Sequence, residues 1–384
     1  MKRIGCILLI FILALGMLPL QARAVELDTA GKSCLLMDVA TGTILYERNA
    51  HEPLAPASVT KVMTMLLIME AIDGRKIGWD DPVTASEAAA AKGGSQIYLK
   101  VGESMTVSDM LKSIAVSSAN DCACALAEHI TGSESAFVDL MNSRAAELGM
   151  QDTHFVNCTG LDDGEDAKNH RTSAHDIAVM SRQLLKYHPD IKKFTTIWMD
   201  TVRNGAFGLS NTNKMVRFYN GCTGLKTGFT SGAGYCLSAS AQREGMELIA
   251  VVMGAETSAD RFAACKAMLD YGFANFALYT PSLMEESDVP VKLGKRSTVR
   301  AVTAADPQLL VEKGQLSSIT TEVQLEPQVS APVSQGQRLG TLTIRAGEQI
   351  LSQTPLVAET TVPLLNWGEV VLQILRRVCM AEPV

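Results

Sequence analysis

A chain of 384 residues is longer than one ordinary domain, and 47% hydrophobic against 20% charged residues describes a globular protein with a sizeable core. The formal charge of -7 is spread along the chain without a basic patch, which excludes nucleic acid as a partner. The 18 Met read as core filler, not as a metal-binding surface.

At the N-terminus, Lys2 and Arg3 precede an apolar run over residues 4–20, and Ala22-Arg23-Ala24 supplies a small-x-small cleavage site. That is the three-part layout of a secretory signal peptide, assigned to residues 1–24. The mature chain would then work on the outer face of the cytoplasmic membrane or in the cell wall. Loss of Cys6 with the leader leaves an even number of cysteines, which export permits to pair. Only Cys222 and Cys236, either side of a turn, have a suitable position for this. Buried free thiols are nevertheless the reading adopted for the cysteines, and no Cys or His cluster has metal-ligand spacing, so neither metal nor cofactor is expected.

The stretches 34–39 and 43–46 flank Thr41-Gly42 and predict a β-hairpin. A helix-rich middle follows over residues 58–187, with apolar residues three and four apart, as in Met110-Leu111-Ile114. Strand texture returns over 224–254 and a helix over 259–276 closes this part. Strands at both ends with helices between predict one antiparallel sheet flanked by helices, with an inserted helical lobe, in a mixed α/β domain over residues 25–280. Residues 281–362 hold short alternating segments broken by Gly and Pro and predict a small all-β domain. In residues 363–384, Asn366, Glu369, Gln373, Arg376 and Arg377 share one helical face while Leu365, Val371, Leu372, Ile374 and Leu375 cover much of the rest. This segment is too short and too polar to span a bilayer, and it suits a helix lying at a membrane surface.

Ser58-Val59-Thr60-Lys61 opens a predicted buried helix, and residues three apart in a helix share a face. The Lys61 amine therefore reaches the Ser58 hydroxyl without help from the rest of the fold. Burial would make Lys61 a competent general base. Alone, the spacing equally describes a helix cap and a solvated lysine. Two further motifs change the balance. Ser118-Ala119-Asn120 sits at a corner between predicted helices, and Lys226-Thr227-Gly228 begins the returning strands, where Gly228 would let a substrate backbone approach closely. Each pattern occurs once, in the structural context its chemistry needs.

With these residues in place, the chain resembles the low-molecular-mass penicillin-binding proteins of the D-alanyl-D-alanine carboxypeptidase family, within the wider β-lactamase and transpeptidase group. The likeness runs over residues 26–276 and includes Gly94-Ser95, Asn142-Ser143, Arg203-Asn204-Gly205 and Arg261. Ala119 stands where many relatives have Gly, and Phe229 where some have His. The resemblance implies a β-lactamase/transpeptidase-like fold and, as substrate, the peptidoglycan stem peptide ending in D-alanyl-D-alanine. It implies Ser58 as nucleophile, Lys61 as base and Ser118 as proton relay. Asn120 would contact the substrate amide, Lys226 and Thr227 would hold its carboxylate, and the N–H groups of Ser58 and Phe229 would form the oxyanion hole. Arg203 and Arg261 are second candidates for the carboxylate. β-Lactams would acylate Ser58 as covalent inhibitors.

A His-based triad is discarded, since there is no G-x-S-x-G and none of the six His has a matching context. A β-lactamase shares the motifs, but the Glu-x-x-Leu-Asn loop that activates the deacylating water is absent. A transpeptidase and a non-catalytic envelope sensor are the remaining alternatives; the three intact motifs argue against the sensor.

Overall fold

A computed structural model describes residues 27, 29–162, 166–281, 287–305 and 308–379. The assigned signal peptide lies outside the described residues. The predicted hairpin forms as β1 (Ser33–Asp38) and β2 (Ile44–Arg48). The helical lobe follows as α1 (Lys61–Asp73), a small ribbon of β3 (Pro82–Thr84) and β4 (Ser104–Thr106), then α2 (Val107–Ser117), α3 (Asn120–Thr131), α4 (Glu134–Glu147) and α5 (Ala174–Tyr187). A hairpin of β5 (Met199–Val202) and β6 (Phe207–Ser210) leads into three long strands, β7 (Cys222–Thr230), β8 (Gly234–Arg243) and β9 (Met246–Ala255), and then α6 (Ser258–Asn275).

The main sheet has the order β2-β1-β9-β8-β7, antiparallel throughout, so the two ends of the unit meet where β1 pairs with β9. Both faces of this sheet are covered, and the sequence shows why. In β1 and β9, Leu35, Met37, Ile249, Val251 and Met253 face the helical lobe. The intervening Cys34, Leu36, Leu248, Ala250 and Val252 face α6 and its neighbours. A strand with two buried faces reads as a continuous apolar run because alternate side chains serve different cores. Helix α1 lies at the centre of the lobe and is buried almost all round. Strand β7 is one of the two edges of the sheet, and the turn ahead of α1 packs against it.

Beyond β10 (Phe276–Tyr279), a second sheet of six strands closes over its own core of Val289, Val299, Leu339, Leu342, Leu356 and Val362. The terminal helix α7 (Trp367–Cys379) is capped reciprocally by Asn366 and Glu369 and tied to that sheet by Lys295–Glu369 at 2.9 Å. Cys34, Cys122, Cys124, Cys158, Cys222, Cys236 and Cys265 are free thiols. The expected Cys222–Cys236 proximity fails: on the β7–β8 ladder Cys236 lies opposite Gly228. Cys222 is six residues further along, about 20 Å at strand rise.

Candidate active site

The Ser58 segment departs from the predicted start of an α-helix. Ala57–Thr60 forms a 3-10 turn and α1 begins at Lys61. The intended contact survives: Lys61 Nζ donates to Ser58 Oγ at 2.9 Å and to the Thr159 carbonyl at 2.8 Å. Lys61 is completely buried. Burial pulls its pKa to about 7, overcoming the opposing influence of Cys158 and Asp121. A substantial fraction is therefore the free amine at neutral pH, with a lone pair beside the Ser58 hydroxyl.

The turn is strained and held from below. Ala57 sits at φ +49°. Its carbonyl accepts from Thr60 Oγ1 at 2.8 Å, and that hydroxyl meets His170 Nε2 at 2.8 Å. Because the Val156 N–H donates to His170 Nδ1, Nε2 carries the proton. Burial lowers the His170 pKa to about 4, which keeps the ring neutral. Two glycines admit the turn into its slot. A Cβ on Gly160 would lie 1.8 Å from the Ala57 carbonyl oxygen, and one on Gly228 would lie 2.6 Å from Pro56 O and 3.0 Å from Ser58 N. The close approach that Gly228 allows is thus by the nucleophile turn itself.

Ser118 ends α2 in the left-handed conformation, φ +64°, and Asn120 starts α3. Asn120 Nδ2 donates to Gly93 O at 2.7 Å. Ser118 Oγ and Asn120 Oδ1 are buried without a hydrogen-bond partner. Buried polar atoms in such a position are ordinarily completed by water or by a ligand.

Across from this corner runs β7. Lys226 is almost wholly buried, its ammonium donating to Thr227 O at 2.9 Å. Burial, then the neighbouring charges of Lys61 and Arg261, push its pKa well below the ordinary lysine value. No acidic side chain pairs with it among the described residues, and a bound carboxylate would supply a counter-ion. Thr227 Oγ1 donates to Thr212 Oγ1 at 2.7 Å, and half-exposed Phe229 stacks on Tyr235 with ring centres 4.2 Å apart.

The two arginines are engaged elsewhere. Arg261 supports β7 from within, donating to Gly228 O at 2.8 Å and Cys236 O at 3.1 Å between the rings of Tyr235 and Phe262. Arg203 pairs with Glu103 at 2.6 Å and donates to Ile97 O at 2.7 Å. Sequence reasoning missed Thr159, Gly160, His170 and Thr212. It missed Glu134 as well, which accepts from the Cys158 N–H at 3.3 Å and pairs with Lys92. The one local sign was Asn157-Cys158-Thr159-Gly160, an Asx turn in which Asn157 Oδ1 accepts from the Thr159 and Gly160 N–H groups.

Residues 20–257 match the family model described as D-alanyl-D-alanine carboxypeptidase, and residues 282–364 match that for the penicillin-binding protein 5 C-terminal domain. The chain is 43% identical to the D-alanyl-D-alanine carboxypeptidase DacF of Bacillus subtilis (strain 168), over 94% of each chain. Its fold is similar to that of penicillin-binding protein 5 from Haemophilus influenzae, with a TM-score of 0.75 and 30% identity over 88% of this chain and 99% of the other. It is also similar to penicillin-binding protein D2 from Listeria monocytogenes in its ampicillin-bound form, with a TM-score of 0.59 and 31% identity over 65% of this chain and 99% of that one.

Proposed function

The chain belongs to the D-alanyl-D-alanine carboxypeptidase family, and from that premise we propose that Ser58 forms the acyl-enzyme with the penultimate D-alanyl group of a peptidoglycan stem. Neutral Lys61 takes the Ser58 proton as the oxygen attacks the carbonyl carbon. The oxyanion is received by the N–H groups of Ser58 and Phe229. As the C–N bond breaks, the proton passes from Lys61 by way of Ser118 to the departing D-alanine nitrogen. Water then attacks the Ser58 ester and regenerates the hydroxyl. Asn120 Oδ1 accepts from a substrate amide, and Lys226 with Thr227 holds the terminal carboxylate. Arg203 and Arg261 act as positioning residues for the walls, given the partners each already has.

One observation supports this reading: buried Lys226, without an acidic partner among the described residues, lies close enough to Lys61 for their charges to interact, and Lys61 in turn holds the Ser58 hydroxyl. Release of D-alanine from a pentapeptide mimic, abolished by Ser58→Ala, is the expected result. No release would favour an envelope sensor. Rapid turnover of penicillin in place of a persistent Ser58 adduct would favour a β-lactamase, and transfer to an added amine would favour a transpeptidase.

The working division is a peptidase unit over 25–280 and a β unit over 281–362, with export of the chain after removal of residues 1–24. We place the enzyme at the outer face of the cytoplasmic membrane through α7. Trp367 is 87% exposed, and Val371, Leu372, Ile374 and Leu375 are each about half exposed. No helix among the described residues is long and apolar enough to cross a membrane. An exposed apolar face on such a helix fits the interface. Vesicle co-sedimentation should fall when residues 364–384 are removed; equal partitioning would overturn the assignment.

A further inference from the structure

Tyr98 is a bulky residue held at φ +60°, a left-handed conformation that side chains with a Cβ rarely adopt. Such strain persists only where the surroundings over-determine it. Here they do. The Asp121 carboxylate accepts from the N–H groups on either side, Ile97 at 3.1 Å and Leu99 at 3.0 Å. Arg203 donates to Ile97 O at 2.7 Å and to Tyr98 O at 3.3 Å, and is itself fixed by Glu103. The side chains of Ile97 and Leu99 are buried, whereas Tyr98 is 67% exposed. Four hydrogen bonds and two buried anchors thus present one aromatic ring to solvent.

The segment that carries this ring borders the Ser118–Asn120 corner. Asp121 directly follows Asn120, whose own N–H and amide donate to Ser95 O and Gly93 O, so residues 93–99 are the lip of the Ser118–Asn120 wall. On its other side the Tyr98 ring meets Phe207 edge-on at 6.3 Å. Phe207 starts β6, which runs on to Thr212 and so to the Thr227 hydroxyl. A ring on a rigid backbone gives contact area at little entropic cost.

We propose that Tyr98 is a specificity-determining contact: a preformed aromatic platform for the apolar part of the bound acyl donor. It favours donors carrying an aliphatic or aromatic acyl side chain over those without one. This rests on Ser58 being the nucleophile.

The test compares acylation rate constants for benzylpenicillin with those for 6-aminopenicillanic acid, which has the same reactive ring and no acyl side chain. Tyr98→Ala and Tyr98→Gly should slow acylation by benzylpenicillin about five- to tenfold, the scale of one lost aromatic contact. Both should leave 6-aminopenicillanic acid within about twofold, and Tyr98→Phe should behave as the parent. Glycine adopts positive φ freely, so Tyr98→Gly should keep or raise the thermal midpoint while losing discrimination. Equal losses for both compounds, or a lowered midpoint in Tyr98→Gly, would mean a purely structural residue. Unchanged rates would mean no contact. A parent protein that forms no Ser58 adduct would defeat the nucleophile assignment and this inference with it; an adduct without discrimination defeats this inference alone.

Discussion

Gly160→Ala is a substitution of one methyl group at a residue outside every motif, and it should damage both the fold and the reaction. Gly160 has φ +81°, and an added Cβ would lie 1.8 Å from Ala57 O, 2.4 Å from Ala57 C and 2.7 Å from Thr60 Oγ1. Two of those atoms are backbone, so no rotamer change relieves the overlap. Left-handed backbone costs alanine about 1–2 kcal/mol, and overpacking a filled core costs about 1–3 kcal/mol more. A total of about 2–5 kcal/mol corresponds to a midpoint lowered by roughly 5–15 °C in a unit of this size. Ala57 must also move, carrying Ser58 away from Lys61. Misplacement of a reacting group by about 1 Å is worth on the order of a hundredfold in rate. Differential scanning calorimetry and stopped-flow acylation by a fluorescent penicillin, run at a temperature where the variant is folded, measure the two effects separately. A midpoint within about 2 °C of the parent and acylation within about threefold would show that the nucleophile turn is not set by this contact.

Further consequences concern the buried cations and His170. With Lys61 near pKa 7, acylation of the free enzyme should rise with pH through a limb close to 7; a rate flat from pH 5 to 9 would remove Lys61 as base. The same group affects stability: its folded pKa of about 7 lies below its ordinary 10.5, so the unfolded chain binds more protons between those values. Stability should therefore rise with pH across that window, by up to roughly 5 kcal/mol for this group, and Lys61→Met should flatten the curve in urea titrations. His170 is likewise held below its usual 6.5, at about 4, so the fold should lose stability as pH falls from 6.5 towards 4. His170→Gln should show a smaller loss over that range. Arg261→Met deprives Gly228 O and Cys236 O of a buried donor and should cost about 2–4 kcal/mol, read by denaturant titration. Arg261→Lys restoring less than half of that would agree with the forked geometry.

The fold and the elements of the site differ in how far they can be read locally. The β1–β2 hairpin, the buried α1 and the Ser118 corner all follow from patterns within a dozen residues, because strand and helix periods act over that distance. The start of α1 was misplaced by one turn, since the 3-10 geometry of Ala57–Thr60 is imposed by packing against Gly160 and Gly228. Arg203 and Arg261 are cations of the right kind, yet their partners lie up to about a hundred residues away, and these long-range contacts engage them with Glu103 and with backbone carbonyls.

Residue type and short spacing single out Ser58, Lys61, Ser118, Asn120 and Lys226 as candidates only when the three motifs are taken together. Lys61 reaches Ser58 because both lie on one turn, and that holds wherever the turn sits. Whether the amine is neutral was a matter for the tertiary structure, since only complete burial brings its pKa near 7, against the opposing influence of Cys158 and Asp121. The same holds for the cleft. Spacing names its corners, but the antiparallel pairing of β1 with β9 and of β8 with β7 brings the Lys226 edge opposite Ser118. Such long-range closure depends on burying two sheet faces at once, which no local window of the chain records.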